Sequence, residues 1–284
     1  MKLSNDDLTT CRLCGRDGRP DPALDGMLRR CTECGFLWTA GIAVPPDELY
    51  DEAYYLTDGY QDYFAASGQR RFEAGRRLRW LSTVVPPSVL VEAGCAGGYF
   101  LEAAQRAGFT VTGVEVSQVA AKFAVEQLRV PVRQGYFEQV APTLQADVVC
   151  AFHVLEHVDD PRTFLHAARN VLTPGGWLAL EVPNIASAAA TRLGQQWPAV
   201  APQYHRWHFT PDTLSRLLCQ TGFKVVSHDT VFSRFYWQPM SRLRRARDLL
   251  VADVAASRSP RMRHPLLGDL LRVFARREEA AVDR

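Results

Sequence analysis

From residue 88 onward the chain alternates short apolar runs with segments of helical periodicity, and few architectures satisfy that alternation. SVLVEAG (88–94), TVTGVEV (110–116), ADVVCAF (146–152), GWLALEVP (176–183) and FKVVSHDTV (223–231) read as buried strands, with LLRVFARR (270–277) as another. GYFLEAAQRAG (98–108) reads as a helix stopped by Gly108, and SQVAAKFAVEQL (117–128) as a helix capped by Ser117. DPRTFLHAARNVL (160–172) reads as a helix ended by Pro174-Gly175-Gly176. Thr210 caps a further helix, with Pro211 in its first turn and Gly222 at its end. A helix between two strands returns the second parallel to the first. The expected fold class is α/β, a doubly wound, mostly parallel sheet with helices on both faces.

In such sheets a ligand binds past the carboxyl ends of the strands, where strand order reverses. The first strand runs into VEAGCAGGYF (91–100), in which Gly94, Cys95, Ala96, Gly97 and Gly98 carry little side chain. A ligand can approach such a backbone closely. The second strand ends in Glu115, followed by Val116, and a carboxylate there can accept both hydroxyls of a ribose. A dinucleotide or S-adenosylmethionine would suit this geometry. The dinucleotide fingerprint needs a small residue at position 99, and Tyr99 breaks it. Glu92 is awkward beside a pyrophosphate but suits the cationic sulfonium and amino group of S-adenosylmethionine.

Four of the seven cysteines form a second pattern, Cys11-x-x-Cys14 and Cys31-x-x-Cys34, each pair followed by a glycine. Two such knuckles joined by a hairpin make a tetrahedral four-thiolate site that suits zinc. The loop between them is polar and offers no core of its own. The metal is therefore expected to supply most of the module's folding energy, on the order of 10 kcal/mol. A closed four-thiolate site is structural. Cys95, Cys150 and Cys219 lie on apolar segments and read as small core residues.

Together these motifs resemble the class I S-adenosylmethionine-dependent methyltransferases, in their ubiquinone-biosynthesis-like small-molecule branch. Glu92-x-Gly94-Cys95-Ala96-Gly97-Gly98 resembles their first motif, although Ala96 stands where glycine is commoner. GVEVS (113–117) resembles their ribose motif, ADVVCAFHVLEHVDDP (146–161) their fourth motif, and LTPGGWLALEVPN (172–184) their fifth strand. HRWHFTPDTLSRLLCQTGFKVV (205–226) is similar to a segment common in that branch, where a four-cysteine ribbon also occurs. The resemblance spans about residues 8 to 232. It implies a Rossmann-like seven-stranded sheet whose last strand, 270–277, is antiparallel, with a helical insertion at about 235–266. It also implies that Glu92, Gly94, Cys95, Ala96, Gly98, Glu115, Val116 and His153 line the cofactor pocket. Phe137 for stacking, or Glu138 for a hydrogen bond, is the candidate contact to the adenine. The expected domains are a zinc ribbon at 1–42, a connector with helices at 43–87, and the cofactor-binding domain at 88–284.

Methyl transfer is an in-line displacement, so an enzyme mainly positions the acceptor and supplies a base for a hydroxyl. His205 and His208 follow the fifth strand, where an acceptor enters. His208 is the preferred base, with His205 and His157 as the other candidates. The competing reading has these histidines pack the loop before a helix, with Glu156 and His157 tying down the turn after the fourth strand. No obvious third ligand accompanies His205 and His208, so a second zinc is not expected there.

The expected activity is methyl transfer to a hydroxyl, or a carbon, of a sugar, glycan precursor or secondary metabolite. A net charge of +2 gives no push toward nucleic acid. The alternatives are an RNA methyltransferase with the ribbon as clamp, and a non-catalytic cofactor-binding protein. Residues 11–40 hold five arginines and four acids, which argues against a phosphate-binding face. The tyrosine-rich stretch 50–64 either lids the site or packs at the domain junction. SRLRRARDLL (241–250) either touches acidic phospholipid or a phosphorylated substrate, or is a helix with a solvated face. The N-terminus has no signal-like apolar core, and no apolar run is long enough to span a membrane, so a cytoplasmic setting is expected. The sequence does not indicate the oligomeric state.

Overall fold

The computed structural model describes residues 9–24, 26, 28–41, 64, 67–233 and 268–279. The insertion at 235–266, the arginine-rich segment 241–250 and the tyrosine-rich stretch except Phe64 lie outside the described residues. Three short strands come first, β1 (Gly18–Pro20), β2 (Leu28–Cys31) and β3 (Leu37–Thr39), followed by helix α1 (Ser67–Leu81). Then come β4 (Val89–Ala93), α2 (Tyr99–Arg106), β5 (Thr110–Glu115), α3 (Gln118–Gln127), β6 (Val132–Gln134) and α4 (Phe137–Val140). The second half holds β7 (Ala146–Phe152), α5 (Pro161–Val171), β8 (Leu172–Pro183), α6 (Ala188–Leu193), β9 (Trp207–His208), α7 (Pro211–Gln220), β10 (Phe223–Val231) and β11 (Leu270–Arg277).

Seven strands form the main sheet in the order β10-β11-β8-β7-β4-β5-β6. The pairs β4–β5, β5–β6, β4–β7 and β7–β8 are parallel, while β11 runs antiparallel to both β8 and β10. This is the α/β Rossmann-like sheet expected, antiparallel last strand included. Strand order reverses at β4, which puts a crevice at the carboxyl ends of β4 and β7.

Local chemistry explains the helix boundaries. Asp160 accepts hydrogen bonds from the Arg162 and Thr163 N–H groups and Pro161 opens α5, whose Phe164, Leu165, Ala168 and Val171 are buried on one face. Thr210 and Thr213 form a reciprocal capping box on α7. Ser117 departs from expectation. It occupies the cap position of α3, but its side chain makes no capping bond, and its N–H donates instead to Oε1 of Glu115 at 2.9 Å. Strand β8 also begins earlier than expected, at Leu172. Its pairing with β7 slips between Ala146 and Val148, and this irregularity absorbs Pro174-Gly175-Gly176 within the strand. Cys95 and Cys150 are buried as expected, but Cys219 is exposed, on the solvent side of α7.

The four-cysteine module is built into the fold. Strands β1, β2 and β3 continue into β9, with Leu37 opposite His208 and Trp38 opposite Trp207. Phe36 stacks on Trp207 at 6.0 Å and tilts against Phe209 at 5.6 Å. Arg162 Nε and Nη2 donate to the Arg12 and Leu13 carbonyls at 2.6 and 2.9 Å. The loop, without a core of its own, packs on the main domain. Leu24, Leu28 and Leu37 are buried with Trp197 and Val200. Each such side chain contributes roughly 1.5–3 kcal/mol of burial, so metal is not the module's sole support. Among the described residues no helix is long and apolar enough to cross a membrane.

Candidate functional site

The turn after β4 forms one wall of the crevice. Gly94 and Gly98 adopt positive φ, at 65° and 79°, and so does Ala96, at 45°. His153, which follows β7 directly, has φ 57°. Two non-glycine residues in the left-handed region thus follow the neighbouring strands β4 and β7 at the switch point, where strain of this kind marks functional turns. The glycines also have a packing reason. A Cβ on Gly94 would stand 2.5 Å from Val154 Cγ2, and one on Gly98 would stand 2.9 Å from Ala124 Cβ and Val130 Cγ2. Gly94 and Ala96 remain partly exposed, as does Val116 after β5, whereas Gly97 and Gly98 are buried. Cys95 points away from the crevice. Its Sγ fills the space beside Gly113, so only its backbone borders the turn.

Glu115 ends β5 with both oxygens oriented. The Ala96 N–H donates to Oε2 at 2.7 Å and the Ser117 N–H to Oε1 at 2.9 Å. Burial raises its pKa, partly offset by these bonds. Each oxygen keeps a further lone pair for an incoming hydroxyl. Glu92 is 4% exposed, and its Oε2 has no hydrogen-bond partner. Burial raises its pKa well above the carboxylate range, and Arg77 offsets this only in part. A buried carboxylate oxygen without a donor beside an accessible turn fits a cofactor that carries positive charge.

Phe137 is buried. Its ring is buried against Phe164 at 5.0 Å, which argues against the stacking role and leaves Glu138, partly exposed, as the polar group of that turn.

Beyond β7 lies an ion network that the sequence reading missed. His153 Nδ1 is 3.2 Å from Glu156 Oε1, and its Nε2 is 3.4 Å from Glu181 Oε1. Glu181 also receives Arg77 Nη2 and Arg272 Nε, both at 2.6 Å. Burial opposes charge on His153, but the two carboxylates outweigh it and lift the pKa to about 9. The same network holds Glu156 at about 2 against the opposing effect of burial. The only available signal was a glutamate in the otherwise apolar strand LALEVP and an arginine in LLRVF.

The proposed bases converge, but not as bases. His157 and His205 pack edge to face at 4.6 Å, and His208 lies 6.4 Å from His205. Burial and neighbouring charge lower His157 and His208 to about 3, and burial lowers His205. An imidazole that weakly basic is a poor proton acceptor at neutral pH. His208 is also 4% exposed, with Nε2 2.9 Å from Thr39 Oγ1 of the ribbon. The expectation that His208 serves as base is therefore corrected: the ribbon covers it.

The four cysteines meet as expected. Cys11 and Cys34 sulfurs are 3.5 Å apart, Cys14 and Cys31 sulfurs 3.4 Å, and all four lie within 4.8 Å of one another. The Leu13 and Cys34 N–H groups point at the Cys11 and Cys31 sulfurs, at 3.3 and 3.5 Å. With metal–sulfur bonds of about 2.3 Å, such a set closes around one ion.

A family model described as a methyltransferase domain matches residues 64–228. The chain is 34% identical over 142 residues to the ubiquinone biosynthesis O-methyltransferase of Caulobacter sp. (strain K31), a match that covers 45% of this chain and 56% of that one. It is 34% identical over 181 residues to the ubiquinone biosynthesis O-methyltransferase of Cereibacter sphaeroides, covering 59% of this chain and 72% of that one. The chain thus spans little more than half the length of the first relative. It superposes on a SAM-dependent methyltransferase structure from Archaeoglobus fulgidus with TM-score 0.54 at 18% identity, covering 76% of this chain and 99% of that one. That likeness bears on the fold.

Proposed function

We propose that this chain, which belongs to the methyltransferase-domain family and has the class I fold, transfers a methyl group from S-adenosylmethionine to a hydroxyl of a small molecule. The observation that carries the reading is the pair of carboxylates at the switch point. Glu115, oriented by two backbone N–H groups, would hold the ribose, and Glu92, with its unpartnered buried oxygen, would face the cationic end. The accessible backbone at Gly94 and Ala96, with Val116 and His153 at the rim, would bound the methionine and nucleoside. When bound, S-adenosylmethionine supplies a methyl group already activated for displacement.

The acceptor would enter on the side of Glu156, His157 and His205. A hydroxyl as acceptor is supported by the names of both curated relatives, which are O-methyltransferases. Hydroxylated sugars, glycan precursors and secondary metabolites all present such a group. His153, held as a cation between two carboxylates, would fix the turn that separates cofactor from acceptor. The four-thiolate site suits a structural zinc that fixes the ribbon over β9.

The test is turnover. Labelled S-adenosylmethionine is incubated with the full chain and a panel of phenol, catechol and sugar hydroxyl acceptors, with product mass read by mass spectrometry. A mass gain of one methyl on oxygen supports the reading. Transfer only to RNA, or to no acceptor despite tight cofactor binding, overturns it.

A further inference from the structure

We propose that Glu92 is a protonated carboxylic acid in the free protein and releases that proton to solvent when S-adenosylmethionine binds, so that the site exchanges a proton for a cationic ligand. This exchange rests on the methyl-transfer reading, and it gives the site a charge-based preference for the cofactor over the demethylated product.

Glu92 lies on β4, in the middle of the sheet, with Gly113 of β5 and Cys150 of β7 beside it. Leu90 and Cys150, on the same face, are fully buried. Oε2 of Glu92 has no hydrogen-bond donor among the described residues. In such surroundings a carboxylate is less stable than the neutral acid. The charged and titratable groups around it are Arg77 of α1, Glu115 of β5, Cys95 of the turn and Cys150 of β7. Arg77 is the cation of this set, but its Nε and Nη2 donate to Oε1 of Glu181, at 2.9 and 2.6 Å. Burial therefore outweighs Arg77, and the like charge of Glu115 acts in the same direction as burial. Glu115 is as deeply buried, yet it accepts from the Ala96 and Ser117 N–H groups. Two carboxyl groups at one turn thus take different protonation states, because one has backbone donors and the other does not.

A ligand that brings a sulfonium and an ammonium to Glu92 reverses this balance, since nearby positive charge favours the carboxylate. The O–H bond of Glu92 then breaks and its proton leaves with solvent. The carboxylate that remains balances the ligand's charge. S-adenosylhomocysteine keeps the ammonium and lacks the sulfonium charge, so it draws the proton off less completely. Binding that releases one proton strengthens about tenfold per pH unit. It does so until pH passes the raised value at which Glu92 ionises in the free protein.

The full chain and Glu92→Gln are titrated with S-adenosylmethionine and S-adenosylhomocysteine by calorimetry, in phosphate, PIPES and Bis-Tris buffers of equal pH. The slope of binding heat against buffer ionisation heat counts the protons released. The range is about pH 5.5 to 7, below the α-amino values of about 7.7–8.0, so the ligand's ammonium keeps its charge. The expected release is about one proton with S-adenosylmethionine, about half that or less with S-adenosylhomocysteine, and none with Glu92→Gln. Wild-type affinity for S-adenosylmethionine should rise about tenfold per pH unit, and that of the variant should stay flat. Heat independent of buffer, equal release with both ligands, or equal release in the variant overturns the proposal and leaves the cofactor reading standing. No binding of either ligand to wild type overturns the cofactor reading itself. If the variant folds poorly, infrared difference spectra of wild type decide: a protonated-carboxyl band should be lost when S-adenosylmethionine binds, and no such loss overturns the proposal.

Discussion

Thr39 Oγ1 lies 2.9 Å from Nε2 of His208 and 2.6 Å from the carbonyl oxygen of His205, so one ribbon hydroxyl ties down both histidines. The carbonyl can only accept, so the hydroxyl donates to it and receives its second bond from the His208 ring N–H. Thr39→Val keeps the shape of the side chain and removes both bonds. It strands two buried polar groups, at a cost of about 1–3 kcal/mol. Thr39→Ser should stay near wild type. Urea denaturation of the three proteins checks this, and equal midpoints for Val and Ser would contradict it.

Gly94 and Val154 set the distance between the two turns of the crevice. Gly94→Ala brings a methyl to 2.5 Å from Val154 Cγ2 at a backbone φ of 65°. The expected loss is about 1–3 kcal/mol from overpacking, with added left-handed strain. Val154→Ala in the same chain should restore the steric part and leave the backbone part. Thermal unfolding of both single variants and the double variant, read as a cycle, measures the coupling.

Glu181 links stability to acid. Burial opposes its charge, but Arg77 and Arg272 outweigh burial and hold its pKa well below the carboxylate range. A depressed folded pKa contributes stability that is fully present above the unfolded value of about 4.3 and is lost as pH falls through the folded value. Glu181→Gln should cost about 3–5 kcal/mol at neutral pH, because the buried Arg272 loses its carboxylate and the partly buried Arg77 loses its nearest one. The variant's stability should then fall less steeply than wild type below about pH 4.3. Denaturation midpoints measured across that range decide it, and parallel curves would count against the network.

The fold was legible because its evidence is periodic. The five strands from β4 to β10 with apolar or near-apolar runs, and the cap at Thr210, stand in the sequence within a few residues of their observed ends, whereas the cap expected of Ser117 does not form. β6, with only Val132, Arg133 and Gln134, has no such signature and is placed by pairing with β5. The cysteine set was legible because its ligands come in adjacent pairs. Glu115 and Glu92 were legible because their strands announce their ends. The histidine cluster was not. Its geometry depends on β9 crossing from the main domain into the ribbon sheet, a two-residue strand whose pairing with Trp38 no local pattern reports. Burial then changed the chemistry of those histidines, and burial by a distant segment leaves no mark on local sequence.

The most direct test of the account is calorimetry of S-adenosylmethionine, S-adenosylhomocysteine and NAD with wild-type protein and Glu115→Ala. Micromolar binding of the first two, at least tenfold weaker in the variant, with no heat from NAD, is the predicted result. Binding of NAD, or of neither adenosyl compound, would contradict the assignment of the β4–β5 crevice to S-adenosylmethionine.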